Sequence, residues 1–91
     1  MRKRIDPKPI LLSALKGEDI PPGRKMGLVY CRIIVARHHR KQGKTQEEVG
    51  ACLGKDRATI SYYDRKYDME YKYNPEFRKL ADWFNQMKEQ L

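Results

Sequence analysis

The chain has 91 residues, enough for one domain and little more. At 40% hydrophobic and 35% charged residues it has a globular rather than a disordered composition, and a formal charge of +8 points to a polyanionic partner. No apolar run approaches the roughly 20 residues needed to span a bilayer, and Arg2, Lys3 and Arg4 lead into Pro7 and Pro9 rather than into a signal sequence, so a reducing, cytoplasmic setting is expected.

Residues 1–23 read as a basic arm, a short helix and a loop, ahead of a helical domain over 24–91. Residues 1–9 form the arm, either a solvated tail or a contact to DNA. Ile10 to Leu15 suits a short helix ended by Gly17, and the prolines and glycines of 17–23 mark a loop. From Met26 to Ala36 the chain is apolar almost all round. Its β-branched content would suit a strand, but its length, the polar continuation Arg37 to Lys41 and the stop at Gly43 favour a buried helix over about Arg24 to Gln42.

Thr45-Gln46-Glu47-Glu48 has the form of a capping box, so a short helix follows, with Val49, Cys52 and Leu53 on its inner face and Gly54 as its stop. Asp56 caps the next helix. Ile60, Tyr63 and Tyr67, continued by Tyr71, form its buried stripe, and Arg57, Ala58, Ser61, Tyr62 and Arg65 lie outside it. Asn74-Pro75 opens a last helix with Phe77, Leu80, Ala81, Phe84 and Met87 as its stripe and Trp83 beside it. The fold expected is all-α, a single domain of four main helices with a short one before them.

The stretch from Gln46 to Arg65 holds two helices of helix-turn-helix length joined by a very short turn. Such a unit requires a small residue where the backbones approach, supplied by Gly50. It also requires a residue tolerant of positive φ in the turn, supplied by Gly54. Val49, Leu53, Ile60 and Tyr63 lock the helices together. In that geometry Arg57, Ala58, Thr59, Ser61 and Tyr62 enter the major groove of duplex DNA: Arg57 toward a guanine, Ala58 or the Thr59 methyl toward a thymine methyl, Tyr62 toward a base edge or phosphate. Lys44, Thr45 and Gln46 are placed to grip phosphate, with Lys55, Arg65 and Lys66 in similar roles.

Residues 46–65 resemble the helix-turn-helix of repressor-type regulators. A longer region, from about Arg32 to Met87, resembles the C-terminal DNA-binding domain of the bacterial chromosomal replication initiator DnaA. It includes the helix ending in Arg37 to Lys41, then Glu48-Val49-Gly50, Leu53-Gly54-Lys55-Asp56, Thr59-Ile60, Arg65-Lys66 and Asn74-Pro75-Glu76-Phe77-Arg78. The resemblance implies a Trp-repressor-like arrangement of helices. It also implies duplex binding by a helix in the major groove and a basic loop beside it, in replication initiation or transcriptional control. That family's Asp-His-Thr-Thr signature falls on Asp56-Arg57-Ala58-Thr59, where Asp56 and Thr59 match and Arg57 and Ala58 do not. The basic loop falls on Arg24 and Lys25. No nucleotide-binding GxxxxGK[ST] occurs, so no nucleotide is expected.

The other constellations point away from catalysis. His38 and His39 with Cys31 and Cys52 match no zinc spacing, and a disulfide is disfavoured in a reducing setting. Glu47, Glu48, Asp56 and Asp64 read as caps and solvated charges. Neither an enzyme, nor a cofactor, nor a membrane partner is expected. Two rival readings remain. One is an interaction module, docking a larger assembly or a second copy through the long and last helices. The other is an RNA or single-strand binder using Tyr62, Tyr63, Tyr67, Tyr71 and Tyr73. Charge is uneven: residues 1–44 hold 12 Lys/Arg against 3 Asp/Glu, and residues 45–91 hold 8 against 9. The second half therefore has to recognise its partner by specific contacts rather than bulk charge.

Overall fold

Among the described residues, four of the five helices begin at a side-chain cap. A computed structural model describes residues 5–90 and contains α1 Pro7–Leu15, α2 Met26–Lys41, α3 Gln46–Leu53, α4 Arg57–Tyr73 and α5 Pro75–Gln90. Asp6 caps α1 by accepting from the amide of Lys8, at 3.1 Å. Thr45 and Glu48 form the reciprocal capping box of α3, and Asp56 accepts from the amide of Thr59 at 2.8 Å to cap α4. Asn74 serves two helices. Its amide donates to the Glu70 carbonyl at the end of α4, and its Oδ1 accepts from the amides of Glu76 and Phe77 at the start of α5. Arg78 closes the same junction by donating to the carbonyls of Tyr71 and Lys72, both at 2.7 Å.

Helix α2 is the centre of the fold. Cys31, Ile33, Ile34, Val35 and Ala36 are buried on successive sides of it, because α1, α3 and α4 all pack against it. That arrangement explains why the sequence is apolar almost all round here. Leu11 from α1, Val49 from α3, Ile60, Tyr63 and Tyr67 from α4, and Phe77, Leu80, Ala81 and Phe84 from α5 complete the core. Tyr67 meets Phe77 edge to face, at 5.4 Å between centroids. Arg32 is the one charged side chain buried among the described residues. Its guanidinium donates to the carbonyls of Gly23 at 2.7 Å and Pro21 at 2.9 Å and so ties the Pro/Gly loop down onto α2.

Four details differ from the sequence reading. Pro7 to Pro9, expected in a basic arm, form the first turn of α1. Proline is tolerated there because those amides have no intrahelical partner, and Asp6 supplies the cap. Residues 1–4 of that arm lie outside the described residues. Cys52 is exposed rather than on the inner face of α3, where Val49 and Gly50 are the buried residues. Tyr71 is exposed. It stacks on Tyr67 and donates its hydroxyl to Asp82 at 2.6 Å, at the rim between α4 and α5. Met87 is only half-buried on the last turns of α5.

Candidate nucleic-acid interface

Helices α3 and α4 are joined by Gly54, Lys55 and Asp56 alone. Gly54 has φ +66°, the left-handed conformation that ends α3 without steric penalty only for glycine. Gly50 is buried under that turn. The amide of Lys55 donates to the Gly50 carbonyl at 2.9 Å. A Cβ on Gly50 would stand 2.5 Å from the Lys55 carbonyl oxygen. Only a hydrogen on that side of α3 lets the chain turn so tightly, and Val49 and Ile60, both fully buried, then hold the two helices against α2.

This turn leaves one face of the first two turns of α4 open to solvent. Arg57 and Ala58 are exposed and Tyr62 is 48% exposed, while Ser61 is half-buried. Thr59 is half-buried too. It lies about 200° round the helix from Arg57, on the opposite flank of the open face. Arg57 is poised rather than fixed. Its Nε donates to Gln46 Oε1 at 3.4 Å, and its contact with Glu47 is a 4.0 Å pairing between side chains about three-quarters exposed, too weak in water to hold it. Arg65 donates to Ser61 Oγ at 3.0 Å along the same face.

A polar relay behind this face ties three helices together. Asp64 on α4 accepts from Arg40 Nε of α2 and from Gln46 Nε2 of α3, both at 3.3 Å. Arg37 donates to the Asp64 carbonyl and to the Asp68 carboxylate, each at 2.9 Å, and its guanidinium lies 4.4 Å from the centre of the Tyr67 ring. Arg40 also donates to the carbonyl of Lys44 at 2.9 Å. Around Asp64, Arg37, Arg40, Lys41 and Lys44 line a shallow recess of about 370 Å³. Asp64, expected to be a solvated charge, is instead the shared acceptor of this relay, and Arg37, Arg40 and Lys41 join the site beyond the residues expected from the sequence. The only sequence signal for them was the basic run that ends α2, and nothing local marked Asp64.

Of the residues expected to touch phosphate, Gln46 lies against Arg57. Lys44 precedes α3 with its ammonium 3.4 Å from His39 Nδ1 and 4.0 Å from Cys52 Sγ, Thr45 caps the helix, and Lys55 lies in the turn after it. Lys66 points about 100° away from Arg65 and pairs with Glu70 at 3.2 Å, which raises the ammonium pKa. Arg24 and Lys25 sit at the other end of α2, about 20 Å along its axis from Arg40 and Lys44. Hydrogen bonds to Thr45 and Thr59 hold the Glu48 and Asp56 carboxyls below their usual range, so both caps stay ionised at neutral pH.

Comparison with protein families, curated proteins and solved structures found no match to this chain.

The remaining constellations do not converge. No three of the described His, Cys, Asp and Glu side chains are placed to share a metal ion. Cys31 and Cys52 are both free, and burial pushes the Cys31 thiol up to about 12, so it is a packing group rather than a nucleophile. Among the tyrosines of α4, Tyr63 and Tyr67 are buried. Of the exposed Tyr62, Tyr71 and Tyr73, Tyr71 points about 180° round the helix from Tyr62, and Tyr73 lies about 16 Å along the helix from Tyr62, so the three do not form one continuous stacking surface. No helix among the described residues is long and apolar enough to cross a membrane.

Proposed function

We propose that the chain binds duplex DNA in a sequence-specific way, with α3 and α4 acting as a helix-turn-helix and α4 as its recognition helix. The observation that carries this reading is the Gly50–Lys55 contact. It fixes α4 so that Arg57, Ala58, Ser61 and Tyr62 project from its open end, beside the cations of the α2–α3 corner. A helix end of this kind fits the major groove, where an arginine reads guanine bidentately and small side chains admit close approach to base edges. Lys44, the Thr45 hydroxyl, the amide and side chain of Gln46, and Lys55 then hold the flanking phosphates. The recess of Arg37, Arg40 and Lys41 extends the same cationic edge. The resemblance to the replication initiator's DNA-binding domain supports the reading. Arg57 and Ala58 replace that family's central signature residues, so this chain has a target of its own. Replication initiation and transcriptional control both fit such a module.

The test is a competition between duplex DNA, single-stranded DNA and RNA, read by fluorescence anisotropy across a salt series. The reading predicts preference for duplex and an affinity falling steeply with salt, with a logarithmic slope of about −0.9 per phosphate contacted. Equal binding to single strands or RNA, or no binding at low salt, overturns it.

A further inference from the structure

The end of the molecule away from α3 carries a second surface. There the first turns of α1 and α2 and the first half of α5 enclose an open groove of about 580 Å³. Its floor is apolar and preformed. Gly27 lets the backbone of Ile5 pass close, since a Cβ there would stand 3.1 Å from the Ile5 carbonyl oxygen. Tyr30 is held edge-on against Phe77 at 5.2 Å, and its hydroxyl accepts from Asn74 at 2.7 Å. Met26, at the lip, is 61% exposed and can adapt to an apolar side chain laid against it.

The rim is cationic. Lys8 of α1, Lys25 at the N-cap of α2 and Lys79 of α5 all line the groove, against the single carboxylate of Glu76. Among the described residues, none of these three ammonium groups forms an ion pair. Lys8 instead lies 5.2 Å from the centre of the Trp83 ring. Helix α2 also starts against the usual rule. It has no side-chain cap and no acidic residue in its first turn, and a lysine stands at its positive end. This costs stability, and a docked carboxylate would offset the cost.

We propose that this groove docks an acidic segment of a partner protein, with an apolar side chain seated on Tyr30 and Met26 and carboxylates meeting Lys8, Lys25 and Lys79. Three cations from three separate stretches of the chain suit several carboxylates spread along a polypeptide better than the single headgroup of a small amphiphile. A second copy presenting this same face would bring lysines against lysines.

The test uses the whole chain, 15N-labelled, titrated with a 15-residue Asp/Glu-rich peptide carrying one Leu and one Phe. The expected result is saturable shifts at Met26, Gly27, Tyr30 and Leu80. Binding falls at least tenfold for the surface double variant K8E/K79E and recovers when that variant meets a peptide with Lys in place of its acidic residues. Arg57→Ala leaves peptide binding unchanged, which separates this groove from the DNA reading. Four results overturn the proposal: no saturable shift up to millimolar peptide, shifts centred on Arg57 to Arg65, equal binding of a peptide with Ser in place of Leu and Phe, or decanoate filling the groove where the peptide does not.

Discussion

Replacing Gly50 by alanine tests the contact that sets the reading face. The new methyl carbon meets the Lys55 carbonyl oxygen at 2.5 Å, and the carbonyl carbons of Lys55 and Asp56 follow at 3.5 and 3.7 Å. Relaxed carbon–oxygen contacts begin at about 3.3 Å, so the turn must recede by roughly 0.8 Å. Overpacking of this kind costs about 1–3 kcal/mol. Weakening the Lys55 to Gly50 hydrogen bond adds about 1 kcal/mol, and alanine's better helix propensity returns about 1 kcal/mol. The net expectation is a loss of about 1–3 kcal/mol, which in a domain this small lowers Tm by roughly 5–20 °C. Thermal unfolding followed by circular dichroism measures it. Gly54→Ala is the control. Its Cβ meets nothing within 4 Å, so it carries only the left-handed backbone penalty of about 1–2 kcal/mol. Duplex affinity should fall further for Gly50→Ala than for Gly54→Ala at equal fraction folded, because only the first displaces α4 from α3. A stabilised Gly50→Ala protein, gaining the ordinary helix-propensity increment of about 1 kcal/mol, refutes the close approach.

Other expectations follow from the same geometry. Lys44→Ala should weaken all duplexes alike and flatten the salt dependence by about one contact, seen in anisotropy titrations at several salt concentrations. Asp64→Ala removes the shared acceptor of Arg40 and Gln46, so it should cost about 1 kcal/mol in urea unfolding and loosen Arg57 through Gln46. Thr45→Ala deletes half of the capping box and should cost about 1 kcal/mol by the same assay. Stability should also depend on pH through His38. Burial, with Lys88, His39 and Lys44 adding, lowers its pKa from 6.5 to about 4. The unfolded chain then takes up a proton near pH 6.5 that the folded one refuses until about pH 4. Stability is therefore complete above pH 6.5 and declines as pH falls through that interval, with His39 acting in the same direction. Urea midpoints across the interval read the slope. His38→Phe, which keeps a ring against Phe84, should shrink it, and an unchanged slope would exclude His38 as its source.

The parts of this molecule legible in its sequence are those fixed by neighbours along the chain. Helix starts at Thr45, Asp56 and Asn74 could be read because a cap is a bond between residues two or three apart. The roles of Gly50 and Gly54 could be read because a three-residue turn permits few alternatives. Periodicity placed Ile60, Tyr63, Phe77 and Phe84 correctly in the core. It failed for Cys52 and Tyr71, because a repeat gives the direction of a stripe but not how far the covering helices extend over it. The Asp64 relay was out of reach for a different reason. Its partners Arg40 and Gln46 are 24 and 18 residues away, and only the crossing of α2, α3 and α4 brings them together. The groove at the start of α2 was hidden likewise, since Lys8 lies on α1, Lys25 just before α2 and Lys79 on α5.

The reading face itself is tested most directly by selecting binders from a pool of random duplexes, with the unaltered chain and with Arg57→Ala in parallel. The account predicts one enriched motif containing a guanine position that loses its information in the variant, at a cost of about 1–3 kcal/mol for the best site. Enrichment of no motif, or of the same motif to the same degree by both proteins, contradicts it.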